Sequence, residues 1–173
     1  MVDRVTHAYE GPLALFLIGL RVHKPWKVGI VRRAGSAMPR MIAELEANRR
    51  AAERGEAQHL GYLGSRTTLD LRGPTVIQWW RSVEDIHAYA NAASLQHRPA
   101  WLDFYRAARA DPTAVTIWHE TYAVEPGGVE SLYGGPGAFG LADVAGTVPV
   151  GRRGETARER LGHPGPARRP DAA

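Results

Sequence analysis

The sequence predicts an α+β fold in which a four-stranded antiparallel sheet carries its helices on one face. Three observations predict it. Residues 13–23 alternate with period two, with Phe16, Ile18, Leu20 and Val22 on one side and Leu17, Gly19, Arg21 and His23 on the other, the pattern of a strand between two different environments. Residues 75–81 (TVIQWWR) are dense in β-branched and aromatic side chains, which suit a pleated surface. Between and after these strands lie stretches rich in Ala, Glu, Met, Leu and Arg, with apolar residues at helical spacing.

Residues 1–11 are polar and expected to be loose. Strand 13–23 is broken by Lys24-Pro25-Trp26-Lys27, because proline cannot continue the ladder. Ser36 is a candidate N-cap for a helix over 39–54, with Met38, Met41, Ile42 and Leu45 on one face and Gly55 at its end. A second strand falls within 59–66, with 70–72 able to extend it, and Gly73-Pro74 turns the chain into strand 75–81. Ser82, followed three residues later by Asp85, has the form of a capping box with aspartate in place of glutamate, and starts a helix over 83–93. A further helix over 99–110, with Pro99 in its first turn, stops at Asp111-Pro112 before the last strand, 114–124.

The order β-α-β-β-α-β, with the second helix split in two, is the ferredoxin-like motif. Its domain is expected over 12–125. Helices cover one sheet face and the other needs cover, which in a chain of this size points to a homodimer. Beyond residue 125, 17 of 48 residues are Gly or Pro, poor material for a core. Residues 126–150 are therefore expected to form an extended arm through Phe139-Gly140-Leu141, and 151–173 a disordered basic tail.

Composition narrows the function classes. A chain of 173 residues, 44% hydrophobic and 23% charged, is long enough for one ordinary soluble core. It has no cysteine, which excludes disulfides, thiolate metal sites and thiol nucleophiles. Of the net charge of +4, residues 151–173 hold +3, six arginines against Glu155, Glu159 and Asp171, leaving +1 for the rest. A basic Gly/Pro-rich end without a DNA or RNA motif is a solvated tail, so no nucleic-acid partner is expected. The apolar run 13–20 is too short to cross a bilayer and no signal-peptide pattern precedes it; no membrane partner is expected and the cytoplasm is the expected compartment. There is no Gly-rich dinucleotide fingerprint, P-loop, Gly-x-Ser-x-Gly elbow or His-Glu-x-x-His helix, which argues against flavin, NAD and catalytic zinc. His119-Glu120 is on a strand and lacks the helical spacing of a zinc site.

On the last strand, Trp118, Glu120 and Tyr122 share one side and Val115, Ile117 and His119 the other. If the Val/Ile side packs on the helices, Trp118, Glu120 and Tyr122 are expected to line the barrel cavity. There Glu120 would be desolvated among aromatics unless paired, with Arg21 as its partner; such a pair is structural or orients an anionic substrate. Trp79 and Trp80 face opposite ways, one into core and one able to enter the cavity; parity alone does not decide which. His97 stands at a helix entrance, where an imidazole serves as a base near neutral pH, as an axial haem ligand, or as a hydrogen bond to backbone.

The segments Leu17-Ile18-Gly19-Leu20-Arg21-Val22, Met38-Pro39-Arg40-Met41, Trp80-Arg81-Ser82, His97-Arg98-Pro99-Ala100-Trp101, Trp118-His119-Glu120-Thr121-Tyr122 and Phe139-Gly140-Leu141, in that order, resemble the fumagillin-pathway monooxygenase-like family. The resemblance runs from about residue 13 to 150. That family is in turn similar to the dimeric αβ barrels of the antibiotic-biosynthesis-monooxygenase kind, which include cofactor-independent oxygenases and haem enzymes. The resemblance implies a monooxygenase acting with dioxygen on a hydrophobic, conjugated or aromatic small molecule. His97, Glu120 and Arg21 are then the candidate catalytic residues, and Trp80, Trp101, Trp118, Tyr122 and His23 the candidate substrate-binding ones. It also implies either no cofactor or haem b, the latter with His97 as axial ligand in a haem-dependent oxygenase or an aldoxime-dehydratase-like enzyme. Haem-degrading relatives carry a tryptophan where this chain has His87, and an asparagine on the first strand where it offers Arg21 or His23. A non-catalytic barrel that binds a hydrophobic ligand is the remaining alternative.

Overall fold

The computed structural model describes residues 3–162, apart from the side chains at 98–101, 103, 107 and 108. In chain order its elements are β1 (Arg4–His7), β2 (Leu13–Val22), α1 (Val28–Gly35), α2 (Ala37–Glu53), β3 (Tyr62–Asp70), β4 (Gly73–Trp80), α3 (Val83–Asn91) and α4 (His97–Ala110). They continue with β5 (Val115–Val124), β6 (Tyr133–Gly134), α5 (Leu141–Ala145), β7 (Thr147–Pro149), a 3-10 turn at Val150–Arg152 and α6 (Ala157–Arg160). The chain divides into two units, residues 13–123 and a second built from its two ends.

The larger unit carries a four-stranded sheet in the order β3-β4-β2-β5. Counting only its own strands, the order is second, third, first, fourth, which is the ferredoxin-like arrangement. β4 is antiparallel to both neighbours, with Trp80 opposite Ala14 on β2 and Tyr62 on β3. A bulge between Tyr62 and Gly64 shifts the register there. The core joins sheet to helices through Ala14, Leu45, Tyr62, Trp80, Ile86 and Tyr89. A second cluster holds Leu20, Ala34 and Val115, with Ile30, Val31 and Phe104 against it.

Some local expectations change. Helix α1 was not expected, because Val28, Gly29, Ile30, Val31 and Gly35 are weak helix formers; packing of its apolar side against Leu20 and Val115 overrides propensity. Ser36 joins α1 to α2, and its hydroxyl donates back to the Arg33 carbonyl at 3.0 Å instead of capping α2. Ser82 does cap α3, its hydroxyl accepting from the Asp85 N–H at 3.1 Å. Helix α4 begins two residues before the expected start, so His97 is its first residue.

The smaller unit differs from the loose N-terminus, extended arm and disordered tail read from composition. Its sheet runs β6-β1-β7. Thr6 and His7 on β1 are buried, and Ser131 Oγ lies 2.7 Å from His7 Nδ1 and 3.1 Å from Thr6 Oγ1. Arg153 donates to the carbonyls of His7 and Tyr9. Buried Arg160 pairs with Glu130 at 2.6 Å and also donates to the Gly154 and Glu155 carbonyls. Thr156 and Glu159 cap α6 with a complete capping box. The rest of the expected tail, 163–173, lies outside the described residues.

Candidate functional site

A cavity of about 290 Å³ lies between the sheet and the helices of the larger unit. Strand parity decides what reaches it. Residues of one parity on β2, β4 and β5 face the helices, and they supply Phe16, Ile18, Gln78, Trp80, Ile117, His119 and Thr121 to the wall. From the helices come Met38, Met41 and Leu45 on α2, His87 and Tyr89 on α3, and His97 and Phe104 on α4. Among the described lining residues none is Lys, Arg, Asp or Glu.

The polar groups of this wall are held by specific partners. A chain of ring contacts runs Tyr62–Trp80 (5.4 Å, edge-on), Trp80–Tyr89 (5.8 Å) and Tyr89–His97 (6.1 Å, edge-on). Glu44 Oε2 accepts from the Tyr89 hydroxyl at 2.9 Å and from the Gln96 backbone N–H at 3.0 Å. One carboxylate thus ties α2 to the phenol beneath His97 and to the backbone that starts α4. Burial, then this hydrogen bond, pushes the Tyr89 phenol well above the ordinary range, so it stays protonated and donating. Trp80, 1% exposed, donates its indole N–H to Gln78 Oε1 at 2.9 Å. His119 stands against Phe16, ring centres 5.6 Å apart.

Of the residues singled out in the sequence, the structure brings His97 and Trp80 to the cavity. Trp80 is the tryptophan that enters, and Trp79 faces the other way. Val115 and Ile117 do pack toward the helices, but the cavity is on that same side, so Trp118, Glu120 and Tyr122 are turned away from it. Glu120 is exposed; it accepts from the Tyr122 hydroxyl at 2.6 Å and makes no pair with Arg21, which is exposed as well. Trp118 is half-buried with its indole over Gly19, where even a Cβ would collide with it. His23 is exposed, its Nε2 3.0 Å from Thr116 Oγ1. The Trp101 side chain lies outside the described residues. Gln78, His87 and His119 line the cavity without having been placed there from sequence; their shared parity with Val76, Trp80 and Ile117, or their place on a helix face, was the available signal.

The family model described as monooxygenase af470-like matches residues 13–141. The chain belongs to that family. Among solved structures it is similar to SnoaB, a cofactor-independent oxygenase from Streptomyces nogalater, at 13% identity over 65% of this chain and 92% of that one, TM-score 0.42. It is similar also to a dimeric protein of unknown function and ferredoxin-like fold from Bacteroides fragilis, at 9% identity over 64% and 95%, TM-score 0.41. Both superpose too loosely to add to what the strand order says. No curated protein matches the chain in sequence.

The described residues of this af470-like protein do not fit haem. A cavity of about 290 Å³ is at the small end for a ligand pocket. No described lining residue is a cation that could meet the two propionates. Among the described residues no three His, Asp or Glu side chains come together as a metal site. None of their helices is long and apolar enough to cross a membrane.

Proposed function

We propose that this af470-like protein is a small-molecule monooxygenase that takes an uncharged aromatic or conjugated substrate into the helix–sheet cavity and oxidises it with dioxygen. The observation that carries this reading is the aromatic and methionine-lined wall, with no Lys, Arg, Asp or Glu among its described residues and with His97 set into it. Burial of flat apolar rings supplies the affinity, at roughly 25 cal/mol per Å², and a substrate anion stripped of water is a stronger reductant toward dioxygen.

The His97 imidazole acts as base on an acidic C–H of the substrate. The resulting carbanion gives an electron to dioxygen, the radical and superoxide recombine as a peroxide anion, and this takes the proton back from the imidazolium to become a hydroperoxide. Loss of water leaves a carbonyl, so R₂CH₂ + O₂ becomes R₂C=O + H₂O. All four electrons come from the substrate, and no external reductant enters. Glu120 and Arg21, on the far face, take no part.

The test is oxygen uptake with ¹⁸O₂ across ring systems that carry an activated methylene or a phenol. One labelled atom in product and one in water is the expected outcome; no uptake and no label across the panel would overturn the reading. We further propose a homodimer built on the sheet face opposite the helices, where half-buried Leu15, Leu17, Ile77 and Trp118 adjoin exposed Tyr122. Sedimentation equilibrium at twice the monomer mass is the expected result.

A further inference from the structure

We propose that the Gln78 amide is the ligand-orienting donor of the cavity, its Nε2–H hydrogen-bonding a carbonyl, enolate or phenolate oxygen of the bound molecule. This rests on the cavity being the substrate site, and it names the substrate class: ring systems bearing an oxygen acceptor.

Gln78 is 4% exposed, in the middle of a strand whose other inward residues are Val76 and Trp80. Its orientation follows from chemistry. The indole N–H of Trp80 can only donate, so the Gln78 atom 2.9 Å from it must be the amide oxygen. The amide nitrogen therefore points the other way, toward Met38 on α2, another lining residue. There it has two N–H groups and, among the described residues, one partner, the thioether sulfur at 3.9 Å, a weak acceptor. A buried amide donor with so poor a partner favours any oxygen acceptor that enters the cavity. Because Trp80 fixes the carbonyl end, the donor is already aimed and loses little freedom on binding.

The same geometry suits the proposed reaction. Charge that develops on the substrate when its C–H is deprotonated spreads onto a conjugated oxygen, and a pre-aimed N–H stabilises it there. Arg21, on the opposite face, is not needed for that role.

The test uses 1-tetralone and tetralin, a ketone and its hydrocarbon counterpart, titrated into the full chain and followed by tryptophan fluorescence. The intact protein is expected to prefer 1-tetralone by about tenfold, a difference of about 1.4 kcal/mol. Gln78→Met, which keeps the volume and removes the donor, is expected to abolish the preference. Gln78→Glu keeps an acceptor for Trp80 and turns the donor into an acceptor, so it should favour tetralin at pH 8. Trp80→Phe lets the amide swivel and should retain only part of the preference. Should Gln78→Met fail to fold, the other two variants carry the test. An unchanged preference in the Gln78 variants, or equal binding of the two probes to the intact protein, would overturn the assignment while leaving the cavity reading intact. Binding of neither probe would overturn both.

Discussion

The two faces of the four-stranded sheet are made by alternate residues of the same strands, yet they do opposite things. Toward the helices, Phe16, Ile18, Gln78, Trp80 and Ile117 stop short of α2, α3 and α4 and leave a cavity. On the reverse, Trp118 presses so closely on Gly19 that a single methyl group has no room. The polar groups differ in the same sense. Glu120 and Tyr122 satisfy each other in solvent, whereas the Gln78 amide oxygen and the Tyr89 hydroxyl are fixed by Trp80 and Glu44 within the cavity wall. A carboxylate on the exposed face is free to stay charged at little cost; one on the inner face would need a cationic partner, and the described lining residues include no Lys or Arg. Space and orientation separate the face that leaves a cavity from the face that closes on itself at Gly19 and Trp118.

That contrast can be broken at several points. The largest effect belongs to Trp80→Ala, which empties the joint between Tyr62, Tyr89 and Gln78. It should cost about 3–5 kcal/mol in urea unfolding, and a loss below 1 kcal/mol would mean the inner face is not held by this ring. Next, His97→Ala should lower turnover about 100-fold with substrate binding retained; Glu120→Ala, one strand face away, should leave turnover within twofold. If the two variants behave alike, the assignment of the faces is wrong. Gly19→Ala forces Trp118 aside and should cost about 1–3 kcal/mol. Combining it with Trp118→Leu should return most of that, and simple additivity would show that the two do not press on each other.

The smallest effect is spectroscopic. The hydrogen bond to Glu120, and then its charge, raise the Tyr122 phenol above its ordinary value of about 10, so Glu120→Gln should bring one tyrosine's alkaline midpoint down in a titration at 295 nm. Tyr62 and Tyr89, raised chiefly by burial, should not move.

How far the sequence could be read follows from the same contrast. Strands are local properties, so β2, β4, β5 and the Ser82 cap were legible from alternation, the β-branched and aromatic run 75–81 and Ser82 itself, although the turn expected at Gly73-Pro74 falls at 71–72 and those two residues already pair within β4. Parity correctly paired Trp118 with Glu120 and Tyr122 and set them against Val115 and Ile117. What periodicity cannot say is on which side of a sheet the helices leave space, and this inverted the expected lining. Helix α1 was hidden because its residues are poor helix formers that fold by packing. Strand β1 and helix α6 were hidden because their buried residues are Thr6, His7 and Arg160, and polar pairing leaves no hydrophobic rhythm.

His7 gives the small unit an acid-sensitive contact of its own. Burial first, and the Arg153 guanidinium next, hold its imidazole below the usual value of 6.5, so the folded ring refuses a proton that the unfolded chain accepts. Its contribution is complete above pH 6.5 and drains away as the pH falls through the lowered value. The ends of the chain are therefore fastened by an acid-sensitive catch. In mildly acidic buffer, amide protection factors, taken against the intrinsic exchange rate at each pH, should fall at 4–7 and 131–134 before they fall in the sheet that holds the cavity, and His7→Gln should flatten that dependence.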